Sequence, residues 1–182
     1  MTVYIALLRG VNVGGNAMVS MTELRGMLDE LGLRGAKTLL QSGNAVFVSS
    51  ARSSAKLETQ LEGETQARLG LRTQYFVRTA EEWGKIVAAN PFRTEAERDP
   101  GHLHVMALKS APEASAVAAL QAAVTGREVV RADGKQLYVT YPDGAGRSKL
   151  TNAVIEKKLG TRATGRNWNT VLKLDALART LP

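Results

Sequence analysis

Apolar positions in this chain switch repeatedly between two rhythms, the two-residue period of strands and the three-to-four-residue period of helices. Thr2–Leu8 is an apolar, β-branched run and predicts a buried strand. Ser20-Met21-Thr22-Glu23 is a capping box, so a helix starts there. Leu24, Met27, Leu28 and Leu31 continue it at helical spacing, and Gly32 or Gly35 stops it. Ala36–Gln41 and Ala45–Ser50 predict two short strands joined at Ser42-Gly43-Asn44, the chemistry of a tight hairpin. Ser53–Leu69 predicts a second helix, with Leu57, Leu61 and Leu69 along one side and Gly70 as its stop. Leu71–Arg78 follows as a strand.

The same alternation resumes further on. Ala80–Ala89 predicts a helix ended by Asn90-Pro91, and Arg93–Gly101 reads as a polar, irregular connection. His102–Lys109 predicts a strand and Pro112–Val124 an Ala-rich helix. Glu128–Ala132 and Gln136–Tyr141 form a hairpin about Asp133-Gly134. Ser148–Leu159 and Asn167–Thr180 predict helices, with a short strand at Thr161–Thr164. Each half therefore has the order βαββαβ. The expected fold is α+β: two tandem ferredoxin-like (α-β plait) units, with antiparallel sheets and helices packed on one face. The expected boundaries are 1–79 for the N-terminal unit and 80–182 for a C-terminal unit with extra helices.

Composition narrows the chemistry. The chain has 182 residues, 44% of them hydrophobic, enough for packed cores. It has no cysteine, which excludes disulfides, thiolate metal sites and cysteine nucleophiles, and fits a cytoplasmic protein. No apolar run approaches the roughly 18 residues of a membrane span, and Val3–Leu8 is too short for a signal-peptide core. The formal charge is +7. Residues 127–182 carry most of it, with 11 basic and 5 acidic side chains. A basic surface attracts phosphate groups and polyanions, nucleic acid included.

Three segments could carry a ligand. In a βαββαβ unit the first two strands are parallel, so their C-terminal ends share one sheet edge. That edge collects Arg9, Gly10, Asn12, Gly14, Gly15 and Asn16 with Gln41, Ser42 and Asn44, side chains that donate and accept hydrogen bonds beside one cation. The glycine spacing is not a dinucleotide fingerprint. Asp143–Lys149 is a glycine-rich turn leading to a helix; Ser148 caps it or, with Lys149, meets an anion. In Thr164–Thr170, Arg166, Asn167 and Trp168 either bind a base or sugar or hold the fold, with Trp168 in the core and Asn167 or Asn169 capping the last helix. Arg166 is expected to project from a turn at Gly165 toward Ser148 and Lys149. His102 and His104 have no evident third ligand, so no metal is expected. The pattern identifies no catalytic residue and calls for no cofactor. Tyr4 and Phe47 stand where an RNA-binding sheet would carry aromatics, but the basic-aromatic signature is missing.

The strings YIALLRGVNVGG, MTELRGMLDELGL, LLQSGNAVFVSS, NPF, GRSKL and TGRNWNTVLKL resemble the bacterial family catalogued as domain of unknown function 1697. The resemblance implies two ferredoxin-like units in a small cytosolic bacterial protein, and no activity. The family usually has lysines after the Gly-Gly pair and a Pro before the Met; here those places read Asn16, Ala17, Met18 and Ser20. Three functional readings stand together: a protein binding a phosphorylated or nucleotide-like anion, an enzyme acting on a small anionic metabolite, and a structural or interaction module without a ligand. The sequence leaves the oligomeric state open.

Overall fold

The computed structural model describes residues 1–15 and 17–182; Asn16, in the first of the three segments, lies outside the described residues. The chain divides into two compact units, residues 1–85 with 173–182, and residues 86–172.

In the first unit, β1 (Thr2–Leu8), α1 (Met21–Glu30), β2 (Arg34–Thr38), β3 (Asn44–Ser49), α2 (Ser54–Leu69) and β4 (Tyr75–Thr79) follow in order. The sheet runs β2-β3-β1-β4, with β1 antiparallel to both β3 and β4. Ser20 caps α1 in the expected box with Glu23, and Ser53 caps α2. The strand expected from Leu71 begins only at Tyr75. Leu71 N–H turns back to the Thr65 carbonyl (3.4 Å) as α2 ends, so this stretch closes the helix. Ala6, Leu8, Phe47, Tyr75 and Val77 face Leu24, Leu28, Leu57 and Leu61 in the core. Tyr4 and Phe47 stack there, 6.1 Å between centroids, and the Tyr4 hydroxyl donates to Ala51 O at 2.7 Å. They present no aromatic platform to RNA.

In chain order, α3 (Ala80–Ala88) and α4 (Arg93–Arg98) follow β4. The second of these corrects the expectation of an irregular connection. Asn90 turns the chain by accepting from Phe92 N (2.9 Å), and Asp99 N closes α4 on Glu95 O (2.8 Å).

The second unit repeats the plan with β5 (Leu103–Leu108), α5 (Ala114–Ala122), β6 (Val129–Asp133), β7 (Gln136–Thr140), α6 (Asn152–Leu159) and β8 (Ala163–Asn167), in sheet order β6-β7-β5-β8. α7 (Trp168–Ala178) follows. Two sequence expectations move. α6 starts at Asn152, because Thr151 supplies the cap to Val154 N (3.3 Å), and a 3₁₀ turn fills Ala145–Arg147. The short strand expected at Thr161–Thr164 runs instead through Asn167, with Arg166 opposite Val105. Gly165 sits in that strand rather than in a turn. A Cβ there would lie 2.5 Å from Met106 Sδ, so glycine lets β8 close on β5.

Each sheet packs one face on its own pair of helices, as expected for an α+β plait. The opposite faces are also buried: Ile5, Leu7, Val46 and Phe76 in the first, Leu103, Val105, Ala107 and Tyr138 in the second. That explains why β1 reads as a continuous apolar run rather than an alternating one.

Gly43 is where the first sheet is most constrained. Its φ is +77°, and a Cβ would lie 2.5 Å from Val11 Cγ2 and 2.8 Å from Leu8 Cβ. Gly43→Ala is expected to lower unfolding stability by about 2–4 kcal/mol, backbone strain and overpacking acting together. Urea denaturation measures it; a midpoint within error of the parent would contradict this packing.

Candidate functional sites

The first edge forms as the topology requires. Leu8 N–H donates to Gly43 O (2.8 Å), bringing the end of β1 to the β2–β3 turn. Arg9 is held through its backbone, N–H to Gln74 O (2.9 Å) and carbonyl from Thr73 Oγ1 (2.9 Å), while its side chain is half-buried. Asn12, at φ 54°, staples the loop. Its Nδ2 donates to Val19 O (2.9 Å) and Gln41 O (2.7 Å), and its Oδ1 accepts from Val19 N (2.8 Å). Asn44 is fully buried and donates to Leu39 O (2.7 Å) and Ser42 Oγ (3.1 Å). Both asparagines thus spend their amides on the loops. Gly10, Gly14, Gly15, Gln41 and Ser42 remain exposed.

These two loops are also where the backbone is strained. Among the described residues, the non-glycine positions with positive φ are Asn12, Ala17 and Leu40. Val13, Met18 and Leu40 are 63%, 69% and 50% exposed there. Strain of this kind persists only where surrounding bonds over-determine it, and Asn12 supplies those bonds.

The second and third segments do not converge as expected. Ser148 does not cap a helix: its hydroxyl donates to Glu128 Oε1 and accepts Leu150 N (3.0 Å). Lys149 is exposed at a cleft of about 280 Å³ lined by Val124, Thr125, Glu128, Leu150, Val154 and Lys158. Arg166 is only 7% exposed and lies on the other face of β8, the face of Val105 and Tyr138. Its Nη1 donates to Thr164 Oγ1 (3.0 Å) and Gly165 O (2.8 Å), and burial pulls its pKa down to about 10. Lys149 instead lines its cleft with Leu150 and Val154, on the helix side of the sheet, the side Arg166 turns away from. Asn167 caps α7 by accepting Thr170 N (3.0 Å), and Trp168 is buried.

The sequence reading missed how the acidic side chains are used. Glu62 and Glu58 of α2 accept the outward amides Tyr75 N (2.9 Å) and Val77 N (2.8 Å) of β4. Glu156 of α6 accepts Ala163 N (2.9 Å) of β8. The i,i+4 spacing of Glu58 and Glu62 was visible, but their target was not. Arg127 pairs with Asp143 through two nitrogens and holds that carboxyl below its usual range. His102 is exposed and paired with Asp99 (2.7 Å), whereas His104 is half-buried with its ring edge-on to Tyr141 at 5.0 Å. Among the described residues, no group of three His, Cys, Asp or Glu side chains is placed to hold a metal. No helix of the described residues is long and apolar enough to cross a membrane.

Residues 1–138 match the model of the family described as protein of unknown function, DUF1697, and the chain belongs to that family. The structure of a conserved bacterial protein, SP0830 from Streptococcus pneumoniae, has the same fold. The TM-score is 0.73 at 23% identity, over 97% of this chain and 98% of that one. No functionally curated protein matches the chain.

Two outcomes follow from this geometry. Asn12→Ala removes three hydrogen bonds from a positive-φ position and is expected to cost about 2 kcal/mol; amide exchange at Val19 should accelerate by at least tenfold, and unchanged protection there would refute the staple. Burial lowers the His104 pKa, with the Gly101 backbone opposing and His102 adding to the fall. The unfolded chain then binds a proton more readily, so stability is complete above about pH 6.5 and falls as pH drops from there through the native pKa. His104→Phe should flatten the fall in melting temperature between pH 7.5 and 5; parallel curves for parent and variant would rule out this source.

Proposed function

We propose that this protein binds a small phosphorylated ligand in the cleft between the end of α5 and the start of α6. The observation that carries the reading is the arrangement of charge over an apolar floor. Lys149 and Lys158 stand at the rim with the Thr125 hydroxyl, above Val124, Leu150 and Val154. Glu128, the carboxylate lining the cleft, is engaged by Ser148. Two ammonium groups against one carboxylate leave a net positive charge to face an incoming anion. The apolar floor suits the carbon skeleton of a phosphosugar or nucleoside monophosphate, and the volume is at the small end for ligand sites. The absence of cysteine from the chain supports a cytoplasmic setting, where phosphorylated metabolites are at hand.

The test is a thermal-shift and calorimetric titration with phosphosugars, nucleoside monophosphates and an oligonucleotide. At least one small phosphate ester should raise the melting temperature, because it binds only the native state. Lys149→Glu with Lys158→Glu should weaken that response at least tenfold while leaving the ligand-free melting temperature nearly unchanged, since both side chains are exposed. A response of equal strength in the double variant would overturn the site. Binding confined to the oligonucleotide, with a steep salt dependence, would replace the small ligand with a polyanion.

A further inference from the structure

A sheet edge guarded over only half its length lies at β6, apart from the cleft just described. Edge strands present backbone groups to solvent, and proteins blunt them. Three edges here are blunted. β4 gives its outward amides to Glu58 and Glu62. β8 gives Ala163 N to Glu156 and Ala163 O to Asn152 Nδ2 (3.2 Å). β2 breaks register between Arg34 and Lys37, and Lys37 Nζ is drawn to Thr180 Oγ1 (3.0 Å).

β6 is guarded only at its first half. Its pairing with β7 runs Val129↔Thr140 to Asp133↔Gln136, so inward and outward groups alternate. Val130 points its backbone outward, where its N–H reaches Gln121 Oε1 (2.8 Å) and its carbonyl is covered by Arg131 Nη1 (2.8 Å). Ala132 is the next outward residue, and it is exposed. By alternation Arg131 and Asp133, on either side, leave the strand on the face opposite α5; both are exposed, and Arg131 also borders the cleft on the α5 side. On the α5 face, Ala132 borders a cleft of about 560 Å³ whose walls include Pro112, Ala114, Val117, Ala118 and Val130.

We propose that β6 pairs antiparallel with β6 of a second copy of this chain, about a two-fold axis at Ala132. The sequence Arg131-Ala132-Asp133 is complementary to itself in that arrangement. Ala132 exchanges both backbone hydrogen bonds with its counterpart, and Arg131 of each copy stands directly opposite Asp133 of the other. Both ion pairs fall at the closely spaced, non-hydrogen-bonded positions, where cross-strand side chains approach best. Arg131 keeps its bond to Val130 O and still has donors for the carboxylate, since a guanidinium offers five. On the other face the two clefts become continuous. The exposed face of α5 is built of Ala114, Ser115, Ala118, Ala119 and Ala122, with no charge to oppose close approach. The interface is isologous, so it closes at two copies and does not propagate.

Sedimentation or light scattering of the full chain reads the mass against the 19.6 kDa monomer. At a protomer concentration of about 100 μM, the parent is expected at twice that mass, with the dimer weakened by added salt. Ala132→Pro removes the outward N–H and should give a monomer with an unchanged melting profile. Arg131→Asp places like charges opposite each other and should shift the mass to monomer; adding Asp133→Arg restores the opposite-charge pairing and should return the dimer. A monomeric parent at this concentration would overturn the proposal and leave the edge to an extended peptide of another protein. A dimer indifferent to both Ala132→Pro and Arg131→Asp would overturn it as well, by placing the contact elsewhere.

Discussion

In both units a carboxylate of the second helix accepts an outward amide of the last strand, and the rest of the fold is arranged around that bond. Glu62 takes Tyr75 N and Glu156 takes Ala163 N. The two strand residues are equivalent: Tyr75 stands opposite Leu8 and Ala163 opposite Leu108. The bond satisfies a donor that would otherwise lie at a sheet edge and fixes how far each helix slides along its strand. A charged acceptor makes it stronger than a neutral pairing. Each unit thus closes its fourth strand beside its first, and the loops leaving the central strands emerge at set places.

The same use of carboxylates shapes the electrostatics. Glu58, Glu62, Glu128 and Glu156 are engaged by backbone amides or a serine hydroxyl within their units. Lys149, Lys157 and Lys158 stay at the surface. A hydrogen bond does not remove a carboxylate's charge, so around α6 three lysines stand against Glu128 and Glu156.

Buried arginines mark the other side of each sheet. Arg78 stands opposite Ile5 and Arg166 opposite Val105, the same register position in the two repeats. Arg78 has the Glu58 carboxylate at 3.9 Å and donates to Val77 O (2.9 Å); Arg166 donates to Thr164 Oγ1 and Gly165 O. Burial lowers the pKa of both. A cation in such a place is kept by the oxygens around it, since leaving it without them costs several kcal/mol, on the order of 3–5.

Local chemistry made most of the architecture legible. The Ser20–Glu23 box, the Ser53 cap, Gly70 and Asp133-Gly134 each act over three or four residues, so their elements follow from sequence alone. The parallel relation of β1 and β2 then brought Arg9, Asn12, Gln41 and Asn44 to one edge, because topology alone decides which strand ends meet. Boundaries shifted where a partner distant in sequence intervened. Thr65 held Leu71 out of the strand, and Thr151 rather than Ser148 capped α6 because Ser148 was drawn to Glu128. Arg93–Arg98 is polar all round, without an apolar stripe, and its helix was hidden for that reason. What only tertiary structure decided was the direction of side chains. Arg166 and Lys149 both looked available at a common edge, but the pleat of β8 buries Arg166, whereas Lys149, in the turn before α6, stays in water. That choice depends on which face of β8 is turned to the helices of its unit, a property of the assembled sheet that no local pattern encodes.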